Sequence, residues 1–269
     1  FLYFLFCVNA YLIILLCEKT TFIRIVGVAF LCIFSYMIHQ RTIAITLANM
    51  VIVFLLLISK KINKKLIVGF IVLFLLFLFA HVSLKNVVLG AVWNNSLSSN
   101  VNNMESQIDK LSFLFSTDGI KMFVLTFLGR IFYIAISSIL LCFFAAERIG
   151  KNIINNWKIH KVDYINIFLF CSIFFTVGIS TASMYTSDFS DVSHIVYGRY
   201  IDNIMGPFII IGLYEIFNTK KSLKEWFIYG DFLVILGLAV SLLWEMKHPQ
   251  WISDINNSGM AVWVSDKEI

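Results

Sequence analysis

The sequence predicts an all-α fold: a polytopic transmembrane helix bundle of about eight spans, with a short amphipathic helix on the outer surface. Three observations carry that prediction. Of 269 residues, 59% are hydrophobic and only 14% charged, with a mean hydropathy of +0.86, whereas a soluble domain runs to about 45–50% apolar and about 25% charged. Apolar runs recur near the ~20 residues that a helix needs to cross a hydrocarbon core. The interruptions between runs are alternately rich and poor in Lys and Arg, the distribution that orients polytopic proteins with their basic loops inside. Two prolines and 13 glycines without period exclude collagenous and low-complexity classes.

Taken in order, the first span is Phe1 to Cys17, running inward, and the second, Phe22 to Ile38, returns outward. A tight outer turn at His39-Gln40-Arg41 leads to the third, Thr42 to Ser59. The fourth runs from Leu66 to Val82, and residues 83–121 form a long extracytoplasmic loop. Within that loop Val101, Met104, Ile108, Leu111 and Phe115 recur at helical steps, and Asn102 with Glu105 resembles a helix start, so a short helix lying on the outer leaflet is expected. The fifth span is Met122 to Ala145, followed by a cytoplasmic loop over 146–163. The sixth is Tyr164 to Met184, the seventh about Tyr200 to Phe217 and the eighth Trp226 to Met246, leaving 247–269 as an extracytoplasmic tail. The basic clusters Lys19/Arg24, Lys60/Lys61/Lys64/Lys65, Arg148/Lys151/Lys158/Lys161 and Lys220/Lys221/Lys224 all fall on the inner side of this scheme. Trp93, Trp157, Trp226, Trp244 and Trp251 lie at or near span ends, where amphipathic rings favour the interface. Residues 1–269 thus form a single integral-membrane domain. The chain opens inside an apolar run without Met or a basic flank, so it is expected to be the C-terminal part of a longer protein.

Several function classes are excluded. The net charge of +5 is spread over loops that cap apolar spans rather than gathered on one face, so no nucleic acid partner is expected. Cys7, Cys17, Cys32, Cys142 and Cys171 lie in or beside apolar segments without C-x-x-C spacing, which indicates neither a disulfide framework nor a zinc site. No nucleophile elbow, zincin helix, phosphate-binding loop or dinucleotide turn occurs, and no cofactor is evident; the sequence is silent on a divalent metal.

Polar and ionised side chains at membrane depth line a cavity, pair, or work. The foremost candidate is DFSDVSHIVYGRYIDNIMGP, Asp188 to Pro207. With a helix start near Tyr200, Arg199, Asp202 and Asn203 share one face, and Gly206-Pro207 loosens the first turns. Arg199 suits an anionic phosphate, because its planar fork donates two charge-assisted hydrogen bonds and does not deprotonate. Tyr197 and Tyr200 add hydroxyl donors; an Arg199–Asp202 pair that merely pins the helix is the structural alternative. In the fifth span Thr126, Arg130, Tyr133 and Ser137 form a polar stripe facing the bundle, either lining a hydrated cavity or making a buried pair. Arg41 in the outer turn is a further cation. Glu215 and Asp231 lie near the inner interface, where pairing with Lys220, Lys221 or Lys224 suffices, and no chemistry is assigned to them.

The segment Tyr197-Gly198-Arg199-Tyr200 with Asp202 and Pro207, together with Gly129-Arg130-Ile131-Phe132-Tyr133 and His39-Gln40-Arg41-Thr42, resembles the late spans of bacterial GT-C-type polytopic glycosyltransferases, in particular envelope proteins with a YGRY segment. The resemblance covers about Tyr36 to Glu215; where that group carries acidic residues just before the element, this chain has Ser193-His194. It implies a bacterial plasma membrane location and transfer of a sugar from a polyprenyl-phosphate donor on the outer face. This chain would supply the lipid-phosphate side of the site through Arg199, Tyr197, Tyr200, Arg41, Arg130 and His194. The catalytic carboxylate is expected in an outer loop upstream of Phe1, with Asp188, Asp191 and Asp202 as the substitutes within this chain. The rival readings are a transporter or flippase of lipid-linked saccharide, a polysaccharide polymerase or ligase, and a non-catalytic envelope assembly subunit.

Overall fold

The computed structural model describes residues 2–39, 42–93, 115–158, 163–184, 201–219 and 223–245. The described residues are all-helical: α1 (Leu2–Glu18), α2 (Phe22–Ile38), α3 (Ile43–Ile58), α4 (Lys64–Trp93), α5 (Thr117–Ser137), α6 (Leu141–Lys158), α7 (Tyr164–Met184), α8 (Asp202–Thr219) and α9 (Leu223–Glu245). Stretches of α4, α5 and α7 (Lys64–Leu84, Thr117–Ser137 and Tyr164–Ala182) are long and apolar enough to cross a membrane. The chain divides into two compact units, Phe1–Leu111 with Val162–Phe175, and Ser112–Lys161 with Thr176–Ile269.

In the first unit α2 is the hub, packed against α1, α3 and α4. Each helix buries one stripe. On α1 it is Leu5, Phe6, Asn9, Ile13 and Leu16, on α2 Ile25, Val28, Ala29, Cys32 and Ser35, and on α3 Ile45, Ala48, Asn49, Ile52 and Leu56, the spacing of one face of a 3.6-residue period. Arg24 at the start of α2 donates to the carbonyls of Leu15, which also accepts from Lys19 N–H, and of Lys19, tying the start of α2 to the end of α1. The outer face of α4 shows Val68, Ile71, Val72, Leu75, Leu76 and Phe79, a continuous apolar surface of the kind that lipid covers. The first half of α7 joins this unit through a Phe6–Phe168 ring stack, centroids 5.9 Å apart.

In the second unit α6 packs most extensively along α8, and α9 packs on α5. Leu141 at the start of α6 meets Gly212, where a Cβ would lie 2.2 Å from the Leu141 carbonyl oxygen, so only glycine permits this approach. Contacts of Phe132 with Gly237 and of Phe144 with Trp226 run α9 antiparallel to α5 and α6.

Three boundaries differ from the sequence reading. The fifth span, expected as one helix over Met122–Ala145, is two helices, because the chain turns at Ser138–Leu140. There Leu140 N–H donates to Ala135 O at 2.8 Å and Ile139 N–H to Ile136 O at 3.0 Å, the paired bonds of a Schellman ending. Its left-handed position, usually glycine, is Ile139 (φ 51°), and Leu140 follows at φ 64°; for L-residues this costs roughly 1–2 kcal/mol each. The loop expected over 83–121 is helical at both ends: α4 continues to Trp93, since single polar residues do not stop a helix that already has its hydrogen-bond ladder. At its other end Ser116 caps α5 by accepting from Gly119 N–H at 2.9 Å. The loop expected over 146–163 is helical to Lys158, because Glu147 and Lys151 pair one turn apart on an amphipathic helix. The outer helix expected around Val101–Leu111 and the 247–269 tail lie outside the described residues.

Candidate functional site

The polar stripe of α5 faces inward: Thr126, Arg130 and Tyr133 are buried, Arg130 and Tyr133 completely. Ser137 is partly covered, and its hydroxyl turns back to the carbonyl of Ile134. The Tyr133 phenol donates to Asp202 Oδ1 at 2.7 Å. Asp202 opens α8, where a carboxylate suits the positive end of the helix. Two features that the sequence marks separately, the stripe around Arg130 and the segment ending at Asp202, therefore meet at one level of the second unit. Pro207 lies inside α8 and leaves the Asn203 carbonyl without its helical donor. Arg130 sits one turn before Tyr133 on the same face of α5 and is likewise completely buried. The other candidates, Arg41, Asp188, Asp191, His194, Tyr197, Arg199 and Tyr200, lie outside the described residues.

A second polar cluster joins α6, α8 and α9. Arg148 donates to Glu215 at 2.6 Å, and its guanidinium stacks 4.5 Å from the centroid of the Tyr214 ring. The Glu215 side chain is 5% exposed, so Arg148 supplies a charge to a carboxylate held away from water. Glu147 accepts from the Tyr229 hydroxyl at 2.8 Å and pairs with Lys151. Glu215 thus pairs with Arg148, which α6 brings beside α8 as a helix and not as a loop; Lys220 and Lys221 lie outside the described residues. Asp231 is exposed. The turn at Ser138–Leu140 lies midway between Arg130 and Arg148.

The sequence reading passed over polar residues in the core of the first unit. Asn49 donates to Cys32 Sγ at 3.2 Å, and Thr46 Oγ1 lies 3.5 Å from the Cys32 carbonyl. Asn9 is 1% exposed within the apolar stripe of α1. The available signal was an asparagine occupying a stripe position among leucine, isoleucine and phenylalanine. Among the described residues no three His, Cys, Asp or Glu side chains converge as a metal-binding group. No protein-family model, curated protein or solved structure matches the chain.

Proposed function

We propose that the chain is an integral membrane protein of about eight spans and of GT-C-like type, supplying the lipid-phosphate side of a glycosyltransferase site on the outer face of a bacterial plasma membrane. The observation that supports this reading is the Tyr133–Asp202 hydrogen bond, which lies one helical turn from the buried Arg130 and joins the Gly129–Tyr133 segment to the residue two positions after YGRY. In this reading the bond from the sugar's anomeric carbon to the phosphate oxygen breaks and a bond from that carbon to the acceptor oxygen forms. The acceptor proton goes to a carboxylate, and polyprenyl phosphate departs as an anion. Arg199 and Arg130, with Tyr197 and Tyr200, hold charge where it develops on that leaving group, in a water-poor site where fixed cations act most strongly. Tyr133 keeps the Asp202 carboxylate oriented at the same site.

The test is sugar transfer from a radiolabelled polyprenyl-phosphate sugar by the full-length protein in liposomes. Arg199→Ala and Arg130→Ala should each lower kcat by about 10²–10³-fold, the range for loss of one oxyanion stabiliser; wild-type rates in both variants would overturn the reading. A specific observation favours a second reading, a transporter or flippase of lipid-linked saccharide: the break between α5 and α6 falls inside an apolar span, and discontinuous helices build transporter sites. In the same liposomes that activity would move labelled lipid-linked saccharide between leaflets without forming a new glycosidic bond.

A further inference from the structure

We propose that Ser138-Ile139-Leu140 is a hinge that switches α5 and α6 between the broken form and one continuous helix, and that the Arg148–Glu215 and Glu147–Tyr229 contacts are the latch that holds it broken. From Ile131 to Ile149 the chain contains neither glycine nor proline and reads as uninterrupted helix. The observed turn instead uses two consecutive left-handed residues, one of them β-branched, a conformation that persists only where the surroundings impose it. The Ile139 side chain does not impose it, being 73% exposed. Locally the turn has the two backbone bonds of its Schellman ending and the Ser138 hydroxyl, which donates to Ile134 O at 2.7 Å and accepts from Cys142 N–H at 3.3 Å. The remaining hold is distant: the close seat of Leu141 on Gly212, and the latch beyond it.

Local preference and tertiary contact therefore favour different conformations, the condition for two packings of similar free energy. Bringing Ile139 and Leu140 to helical dihedrals would change the direction and rotational phase of α6 relative to α5 and take Arg148 from Glu215 and Glu147 from Tyr229, so latch and continuous helix exclude each other. Tyr133 and Arg130 lie on α5 just above the hinge, which gives an anion at that level a means of biasing it if it binds the two forms unequally. The hinge does not depend on which chemistry the outer cluster performs.

Electron–electron distance measurements test it, using the full-length protein in nanodiscs with the five native cysteines replaced. Spin labels go at Ile154 on α6 and Val234 on α9, both exposed, with Ile120 on α5 and Val234 as the control pair. Glu215→Gln should raise a second Ile154–Val234 distance population from the per cent level of a minor state to about a tenth or more, leaving the control pair unchanged. Adding Ile139→Gly and Leu140→Gly, which relieve the left-handed backbone and disfavour the continuous helix, should remove that population. Should Glu215→Gln fail to fold, Gly212→Ala displaces α6 by a different contact and serves the same comparison. A single distance population in every variant, or a second one that the glycines leave untouched, would overturn the hinge.

Discussion

Helices α3 and α5 end in the same backbone motif and owe it to different causes. At the end of α3, Lys61 N–H donates to Leu56 O and Lys60 N–H to Leu57 O, both at 2.9 Å, with Lys60 in the left-handed position at φ 54°. The next residues are Lys61, Ile62 and Asn63; the Asn63 side chain accepts from Lys65 N–H at 2.8 Å to start α4, and the Thr20 hydroxyl donates to Lys61 O at 2.8 Å. That turn is built mostly of exposed, polar, turn-forming residues, to which other segments add the Thr20 hydroxyl and the Tyr164 ring, its centroid 4.7 Å from Lys61 Nζ. At the end of α5 the motif is repeated with Ile139 and Leu140 in an apolar run, and beyond the Ser138 hydroxyl its support comes from contacts that α6 makes with Gly212 and Glu215 on α8 and Tyr229 on α9. One turn is marked by the residues that form it; the other is not, and rests more on residues far along the chain.

The sharpest way to break the second kind of turn is to remove its distant support. Gly212→Ala places a Cβ against the Leu141 carbonyl oxygen, a backbone atom that cannot rotate aside. The cost should be about 3 kcal/mol, at the upper end for overpacking, read as a lowered unfolding midpoint in detergent. Gly150→Ala, on α6 itself with nothing within 4 Å of its Cβ, should instead gain up to about 1 kcal/mol of helix preference. Equal losses at both positions would mean that the α6–α8 approach does not hold the turn.

The same contrast explains what was legible in the sequence. Helices α2 and α7 begin and end where the apolar runs do, and the turn after α3 announces itself by Ser59, Lys60, Lys61 and Asn63. The α5–α6 break carries no such signal, because neither Ile139 nor Leu140 is a turn-forming residue and the pattern over Met122–Ala145 is that of one helix. Glu147, Arg148 and Lys151 suggest a loop by their charge, while the helical signal there is the one-turn spacing between Glu147 and Lys151. At the candidate site Tyr133 and Asp202 were each visible as polar residues in apolar surroundings. Their hydrogen bond was not, since they lie 69 positions apart in the chain and no local pattern specifies which helices meet.

Substituting the left-handed residues themselves sharpens the comparison from the other side. Ile139→Gly removes the steric cost of a β-branched residue in that conformation, and with the Ile139 side chain 73% exposed it sacrifices little packing. Set against roughly 0.5–1 kcal/mol of added chain entropy for glycine, a net stabilisation of about 1 kcal/mol is expected. Lys60→Gly starts from a smaller cost, because lysine is unbranched at Cβ. The steric relief and the entropic loss should there cancel to within about 0.5 kcal/mol, leaving the unfolding midpoint nearly unchanged. The two variants are the same chemical change in the same motif, so a gain at Lys60 equal to that at Ile139 would show that the α5 turn carries no more strain than the α3 turn. The distinction between a turn marked by its own residues and one that rests more on distant contacts would then have to rest on the Gly212 result alone.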